Sequence, residues 1–455
     1  MQSLLCHVSL FFFVEAMILK LSSQINSRRL LSSLASSIKV LGIESTCDDT
    51  CASVVTSDRQ VLSDVRHSQM KVHLDFGGIL ALVARNKHVQ NINNVTRQSL
   101  EQAGLSIDDI DAVAVASRPG LDLSLHVGVS YAQKLCLKYK KPLISIHHME
   151  AHALTALLTN PNVKYPFLTL LISGGHTILA LVTAVDKFYV LADAPCNPLG
   201  ETLDKIARKL KIRNLGSPYD QVCGGRALEL IARHGNPNAF ISPDWIHSTK
   251  KAITCSNFKI MIEGIVYKCQ KKHPDLPADS PLPEVADIAA SFQRAAVEHL
   301  GHKVQTACKF LESTKILEFS DIEHTIEENP KRFSVFELDY NDPRPLNLPL
   351  LVSGGVACNE YIVKKLGEYC DKMEKLYDGT KIEVIVPSPR NLCTDNGVMI
   401  SWNGVLRMIE NKKNSLLHGE EQIMSVKPIY DATLGVDISE LVNIQDIPLK
   451  PVRIS

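Results

Sequence analysis

Phe167–Thr183 reads FLTLLISGGHTILALVT. An apolar run enters, small and polar residues follow at Ser173–Thr177, and a second apolar run leaves. Short apolar runs bounded by a Gly-Gly turn predict two strands joined by a tight connection. The tip lacks bulk, so its backbone N–H groups are able to approach a phosphate closely; a plain hairpin turn accounts for the same residues equally well. Lys39–Thr56, KVLGIESTCDDTCASVVT, repeats the plan with hydroxyl and acidic groups at its tip, Glu44–Thr50. The echo predicts an α/β chain of two similar lobes, each opening with a strand-turn-strand unit. A third strand-to-Ser-Gly-Gly turn, PLLVSGGVACN at Pro349–Asn359, leads into a helical run from Glu360. Backbone at a helix N-terminus suits an anion or a nucleotide ribose.

Outside these units strand and helix patterns alternate, which argues α/β. Gly77-Gly78 opens a helical pattern whose stripe is Ile79, Leu82, Val83, Val89, Ile92, Val95 and Leu100. Ser106 and Asp109 form a cap-like turn. Ala112–Ala116 and Pro142–Ile146 read as short buried strands flanking a helix over Gly128–Tyr139. Gly200–Leu210 is an amphipathic helix with Leu203, Ile206, Ala207 and Leu210 inward, and Asp204 and Lys205 on a charged face. Gly224-Gly225 precedes another helix. Residues 273–284 form a Pro-rich loop, Val285–Leu311 a long helix, and residues 321–348 an acidic surface insertion. Lys381–Val386 reads as a strand, Asp395 lies on a loop before an apolar helix, and the tail after Pro428 reads as irregular.

Composition narrows the function classes. Lys+Arg and Asp+Glu both number 49, so no global positive field advertises nucleic acid, and any RNA contact must come from a local patch. The 12 Cys include no C-x-x-C pair, which points to reduced thiols rather than a zinc ribbon or disulfide framework. No apolar run reaches the roughly 18 residues of a membrane span, so no membrane insertion is expected. Met17–Val40 is basic and serine-rich and lacks acidic residues, the composition of a mitochondrial transit peptide. Residues 1–16 fit less well, because they contain Glu15 and Phe11–Phe13; a start at Met17 would leave a cleaner targeting peptide.

Ile146–Leu158 reads IHHMEAHALTALL. On a helix, His148 and His152 share one face, and two imidazoles there can hold one divalent metal given a third ligand from elsewhere. With 16 His in 455 residues such a pair arises by chance about as often as not, so buried structural histidines explain the spacing as well. A zinc peptidase needs Glu directly after the first His; Met149 stands there, which disfavours it.

GIESTCDDT, HSQMKVHLDFGG, HHMEAHALTALL, LLISGGHT, LDKIARKL, LVSGGVACN and CTDNGVMI occur in this order between about Lys39 and Trp402. Together they resemble the tRNA adenosine threonylcarbamoyltransferase family, once taken for glycoprotein endopeptidases, and the targeting composition resembles its mitochondrial branch. The resemblance implies an actin-like, sugar-kinase-like ATPase fold: two duplicated α/β lobes around a nucleotide cleft. It implies residues 1–38 as transit peptide, 39–147 as the N-terminal lobe, and 148–394 as the C-terminal lobe with insertions near 273–284 and 321–348. Residues 395–427 then return to the first lobe as a helix, and 428–455 form the tail.

The implied metal ligands are His148, His152 and Asp395, holding one divalent ion, iron or zinc. The implied substrate-binding positions are Leu171, Ile172, Ser173, Gly174, Gly175, Asp204, Gly225 and Asn359. The implied reaction transfers threonylcarbamoyl from threonylcarbamoyl-AMP, supplied by an upstream synthase, to N6 of the adenosine 3′ of the anticodon. Its acceptors are mitochondrial tRNAs reading A-starting codons, its by-product is AMP, and its setting is the matrix. Glu150 is a candidate general base. A homodimer is also implied. The alternative is a nucleotide-binding scaffold or chaperone-like ATPase of the same fold. The chain departs from the family pattern at Ala151, Arg118, Ala81-Leu82 and Asn257. None of these is in the metal triad.

Overall fold

The computed structural model describes residues 37–247, 253–314, 346–377, 380–388, 390–410, 415–444, 449 and 452. Lys39–Glu44 (β1) and Asp49–Thr56 (β2) pair antiparallel, from Lys39↔Thr56 to Glu44↔Cys51. Every residue of β2 is buried. Its apolar stretch therefore shows no polar alternation, as befits a strand covered on both faces. Val61–Ser68 (β3) continues the meander. Met70–Asp75 (α1) and Ala81–Ala103 (α2) follow, then Ala112–Arg118 (β4), Asp122–Tyr139 (α3) and Leu143–His147 (β5). The first sheet has the order β3-β2-β1-β4-β5, with β1, β4 and β5 parallel.

His148–Thr159 (α4) leads to the second lobe. Its meander is Phe167–Ile172 (β6), Thr177–Ala184 (β7) and Lys187–Asp193 (β8). Four helices come next: Leu199–Lys209 (α5), Gly224–Ala232 (α6), Ser256–Gln270 (α7) and Val285–Thr314 (α8). Leu350–Ser353 (β9), Glu360–Leu376 (α9) and Val384–Ile385 (β10) complete the sheet. The order is β10-β9-β6-β7-β8-β11, the last being Val436–Asp437 (β11). Within it β8-β7-β6-β9-β10 repeats the first sheet strand for strand. β6–β7 and β7–β8 are antiparallel, and β6–β9 and β9–β10 are parallel. The duplication read in the two hairpins is real, and the fold is the actin-like, sugar-kinase-like one.

Gly397–Ile409 (α10) packs on β1, β2 and β4 although it follows the second lobe's strands. The approach is close: a Cβ on Gly42 would lie 2.4 Å from Ser401 N and Oγ. Gly419–Ser425 (α11) and Ser439–Ile444 (α12) follow. No helix among the described residues is long and apolar enough to cross a membrane.

Four sequence expectations need correction. β3 (VLSDVRHS) is polar at five of eight positions and β8 is bounded by Lys187 and Asp193, so neither stands out as a strand in the sequence. The stripe on α2 holds only in its second half: Ile92 and Val95 are buried as expected and Leu100 packs against the core, but Ile79, Leu82 and Val89 are 46%, 62% and 53% exposed, and Ala84 and His88 are buried in their place. The strand expected over Lys381–Val386 shrinks to β10. The tail is ordered in part, since Ile429 N donates to Ser117 O at 3.0 Å and β11 extends the second sheet. The expected insertion at 321–348 lies outside the described residues up to 345.

Candidate active site and metal centre

The site begins where β5 becomes α4. His147 caps the helix, accepting from Met149 N at Nδ1 (3.2 Å), and its Nε2 donates to Thr433 O (3.1 Å). The next turn places His148 and His152 on one face, with ring centroids 4.6 Å apart and planes at 89°. Asp395 arrives from the loop before α10, whose N-cap is Asn396 accepting from Met399 N at 2.8 Å. Asp395 Oδ1 lies 3.1 Å from His152 Nε2 and 3.6 Å from His148 Nε2. One ligand atom from each of the three side chains lies within 4.8 Å of the others.

A second layer orients this triad. Glu44 Oε2 sits 3.1 Å from His148 Nδ1, Thr46 Oγ1 lies 3.3 Å from the same nitrogen, and Thr46 N donates to Glu44 Oε1 at 2.6 Å. A carboxylate on one imidazole nitrogen fixes the ring and raises its basicity toward whatever the other nitrogen binds. Burial depresses the His148 pKa, but the charges of Glu44 and Asp395 outweigh it and hold the ring at about 9. Burial pushes the Asp395 carboxyl up; the two histidines and Arg66 override that and hold it far below the ordinary range. His152 is pushed down, first by burial, and its Nδ1 is buried without a partner. His176, on the β6–β7 tip, is lowered to about 4 by burial and then by the charges of His148 and His152, so it belongs to the same neighbourhood. The sequence places Glu44 only among the polar groups of a hairpin tip and gives His176 no role of its own. The signal available was that both stand at the tips of the echoing hairpins. Two imidazoles converging through Nε2 on one carboxylate oxygen fit a divalent transition metal with coordination positions left open.

A cavity of about 550 Å³ lies between the lobes, lined by Asp48, His73 and Gly77 from the first and Asp204, Arg208 and Gly224 from the second; no triad residue lines it, but the charge of Asp395 reaches Asp48 on its wall. Asp204 Oδ1 accepts from Gly225 N at 2.6 Å, capping α6; a Cβ on Gly224 would sit 3.0 Å from Asp204 Cα. Asp204 is thus no member of a solvated face, and burial raises its pKa. Asp48 is raised to about 6 by burial and by Asp49 and Asp395. Gly174 and Gly175 are exposed, and a Cβ on either would meet nothing within 4 Å. Packing does not demand glycine there. Leu171 and Ile172 keep their side chains in the core. Ser173 Oγ accepts from His176 N at 3.0 Å.

Two expected residues already have protein partners. Asn359 caps α9, accepting from Ile362 N at 3.1 Å, and donates to Gln293 Oε1 at 2.7 Å, so both ends of its amide are engaged. Glu150 points away from the triad: its carboxylate pairs with Arg407 in a buried contact. The two-residue offset from His148 turns it to another helix face, so a base role at the triad lacks geometric support.

A family model described as tRNA N6-adenosine threonylcarbamoyltransferase matches residues 60–402. The chain belongs to that family. A mitochondrial tRNA N6-adenosine threonylcarbamoyltransferase of Danio rerio is 37% identical over 402 residues, covering 88% of this chain and 89% of its own length. The tRNA N6-adenosine threonylcarbamoyltransferase of Clostridium novyi is 33% identical over 369 residues, covering 81% and 92%. Among solved structures, a ROK hexokinase from Thermus thermophilus aligns over 83% of this chain and all of its own at 14% identity and a TM-score of 0.38. Family membership makes this chain an acyltransferase of tRNA modification.

Proposed function

We propose that the chain transfers threonylcarbamoyl from threonylcarbamoyl-AMP to N6 of the adenosine 3′ of the anticodon in mitochondrial tRNAs reading A-starting codons. The observation that carries the reading is the meeting of His148, His152 and Asp395, the last 243 residues beyond His152 in sequence, near an interlobe cavity. The exocyclic amine is a weak nucleophile, so the donor brings the activation as a mixed anhydride. The N6–carbon bond forms, the carbon–oxygen bond to phosphate breaks, AMP leaves with the electron pair, and N6 gives up a proton. Gly174 and Gly175 offer unshielded backbone to the acyl-phosphate, Asp204 turns its carboxylate toward the ribose, and the two lobes align donor with acceptor. His148, His152 and Asp395 would hold one divalent ion, iron or zinc, which would supply Lewis-acid polarisation of the threonylcarbamoyl donor. Glu44 and Thr46 keep His148 turned to it.

The broader setting belongs to the same proposal. Residues 1–38 act as a mitochondrial transit peptide delivering the enzyme to the matrix, although residues 1–36 lie outside the described structure. The lobes divide at 39–147 and 148–394, with 395–427 returning to the first. An upstream synthase supplies the adenylate. A homodimer is supported by the exposed apolar side chains of Phe76, Leu80 and Leu82 on the first lobe, the kind of surface a second copy covers. The alternative, a scaffold or ATPase without transfer activity, has no need of the buried triad.

The test is the threonylcarbamoyladenosine content of mitochondrial tRNA in cells lacking the protein. Loss restored by the wild type but not by His148→Ala is expected. An unchanged content would overturn the proposal.

A further inference from the structure

The chain as a whole is neutral, yet two segments of the second lobe are not. Residues 199–215 carry five Lys or Arg against two acidic residues, and residues 256–272 carry four against one. The first segment is α5 with the turn after it; the second is α7 with its C-terminal turn. The two helices pack together. Between them lies a cavity of about 420 Å³ whose floor is Ile206 and Ile262 and whose rim is Lys205, Arg208, Lys209 and Lys259, with Glu263 as its one acidic residue. Arg208, Lys209 and Lys259 are exposed. Of these four cations only Lys205 pairs with a carboxylate among the described residues, with Glu201 at 2.9 Å.

The location matters as much as the charge. Gly200 N donates to Ser173 O at 3.1 Å and Leu199 N to Thr177 Oγ1 at 2.8 Å, so α5 begins against the β6–β7 tip of the active site. Asp204 faces the interlobe cavity one turn before Arg208, and Arg208 Nη2 reaches Gly77 O of the first lobe at 3.1 Å. The groove therefore runs outward from the reaction centre along one helix. On α7, Ile260 and Tyr267 are 68% and 59% exposed, and Lys271 Nζ stands 4.5 Å over the Tyr267 ring. Cations lining a track with an exposed aromatic beside it are the footprint of a polyanion with stackable bases.

We propose that the α5–α7 groove is the docking surface for the phosphate backbone of the tRNA substrate, holding the anticodon stem-loop while its adenosine enters the interlobe cleft. This rests on the transferase reading above for the identity of the RNA. Phosphate contacts position without reading sequence, so the groove sets affinity and register and leaves the choice of adenosine to the cleft.

The test uses the full chain with Lys209→Glu and Lys259→Glu together, and Lys209→Gln with Lys259→Gln as a milder pair. Unmodified tRNA binding is followed by fluorescence anisotropy across a salt series, with modification kinetics alongside. The glutamate pair is expected to weaken binding at least about tenfold and to flatten the log–log salt slope by about 2, one phosphate contact per lost cation. It should raise KM for tRNA while leaving kcat, metal content and melting temperature near wild type. The glutamine pair should fall between. Wild-type KM and salt slope in both pairs would overturn the groove. Variants that keep tRNA binding but lose binding to vesicles of phosphatidylcholine with 30% phosphatidylglycerol would overturn it in favour of an anionic membrane. If the wild type binds tRNA through the groove but forms no threonylcarbamoyladenosine, the groove stands and the transferase reading falls.

Discussion

At the tip of the β1–β2 hairpin Glu44, Ser45 and Thr46 are buried, and each hydroxyl or carboxylate is tied to another side chain or backbone group. At the tip of the β6–β7 hairpin Gly174 and Gly175 stand in the open with nothing beside them. The two tips occupy the same place in duplicated sheets, so topology alone does not set their chemistry. Burial does. The first tip is a rigid bracket that holds a ligand residue from behind, and the second is bare backbone that a substrate can approach. Duplication supplied two equivalent turns, and each has since taken a different side of the same reaction.

The sharpest way to break this contrast is to remove what both tips face. Asp395→Ala deletes the carboxylate shared by His148 and His152 and should abolish stoichiometric metal binding. Transfer should fall by at least about a hundredfold, since loss of a ligand exceeds loss of its supporting partner. Elemental analysis and single-turnover assays check it. Full metal occupancy in the variant would move the centre elsewhere.

Glu44→Gln tests the bracket itself. The amide keeps the shape but loses the charge that orients His148 at 3.1 Å. Metal affinity should drop by about 10- to 100-fold, the usual cost of an outer partner. Competition against a chelator reads this directly, and unchanged affinity would reduce Glu44 to a packing residue.

Glycines sharpen the contrast from the packing side. Gly42→Ala forces a methyl into Ser401 and should destabilise the fold by about 1–3 kcal/mol. Gly174→Ala meets no atom within 4 Å, so the melting temperature should hold while KM for the adenylate rises. Equal melting shifts for the two variants would contradict the claim that one glycine serves the fold and the other the ligand.

Much of this was legible before any coordinates. The hairpin echo announced the duplication, because a strand pair with both faces covered is apolar throughout and its turn is the only polar break. The triad required more. His148 and His152 stand at chance spacing, and Asp395 lies on a loop whose position is set by α10 crossing back to the first sheet. No local pattern encodes that crossing; only the family motif order did. Glu150 misled for a related reason. A carboxylate two residues from a ligand looks adjacent in sequence, whereas the helical rotation delivers it to Arg407. Asn359 sits in a glycine-rich turn that invites a ligand, and its side chain also caps α9 and donates to Gln293. Polar residues in turns serve caps as readily as substrates, and only the partner list separates the two.

The smallest expected effect concerns His147, which joins the second half of the contrast to the tail. Its Nδ1 accepts and its Nε2 donates, the pattern of a neutral ring. Burial, then the charge of Arg118, with the neighbouring His148 and His176 adding to it, lowers its pKa from 6.5 to about 3. Between those values the unfolded chain binds a proton that the folded chain refuses. The unfolded state then carries more protons, so stability rises with pH across this window and is lost as pH falls from about 6.5 toward 3. The slope for this one group is at most about 1.4 kcal/mol per pH unit. His147→Asn keeps a capping side chain but cannot titrate. The difference between wild type and variant in urea midpoint should therefore narrow steadily from pH 7 to pH 5, the wild type losing more. Parallel acid profiles would mean that His147 takes up its proton as readily in the folded protein as in the unfolded chain, against the neutral ring that its two hydrogen bonds require.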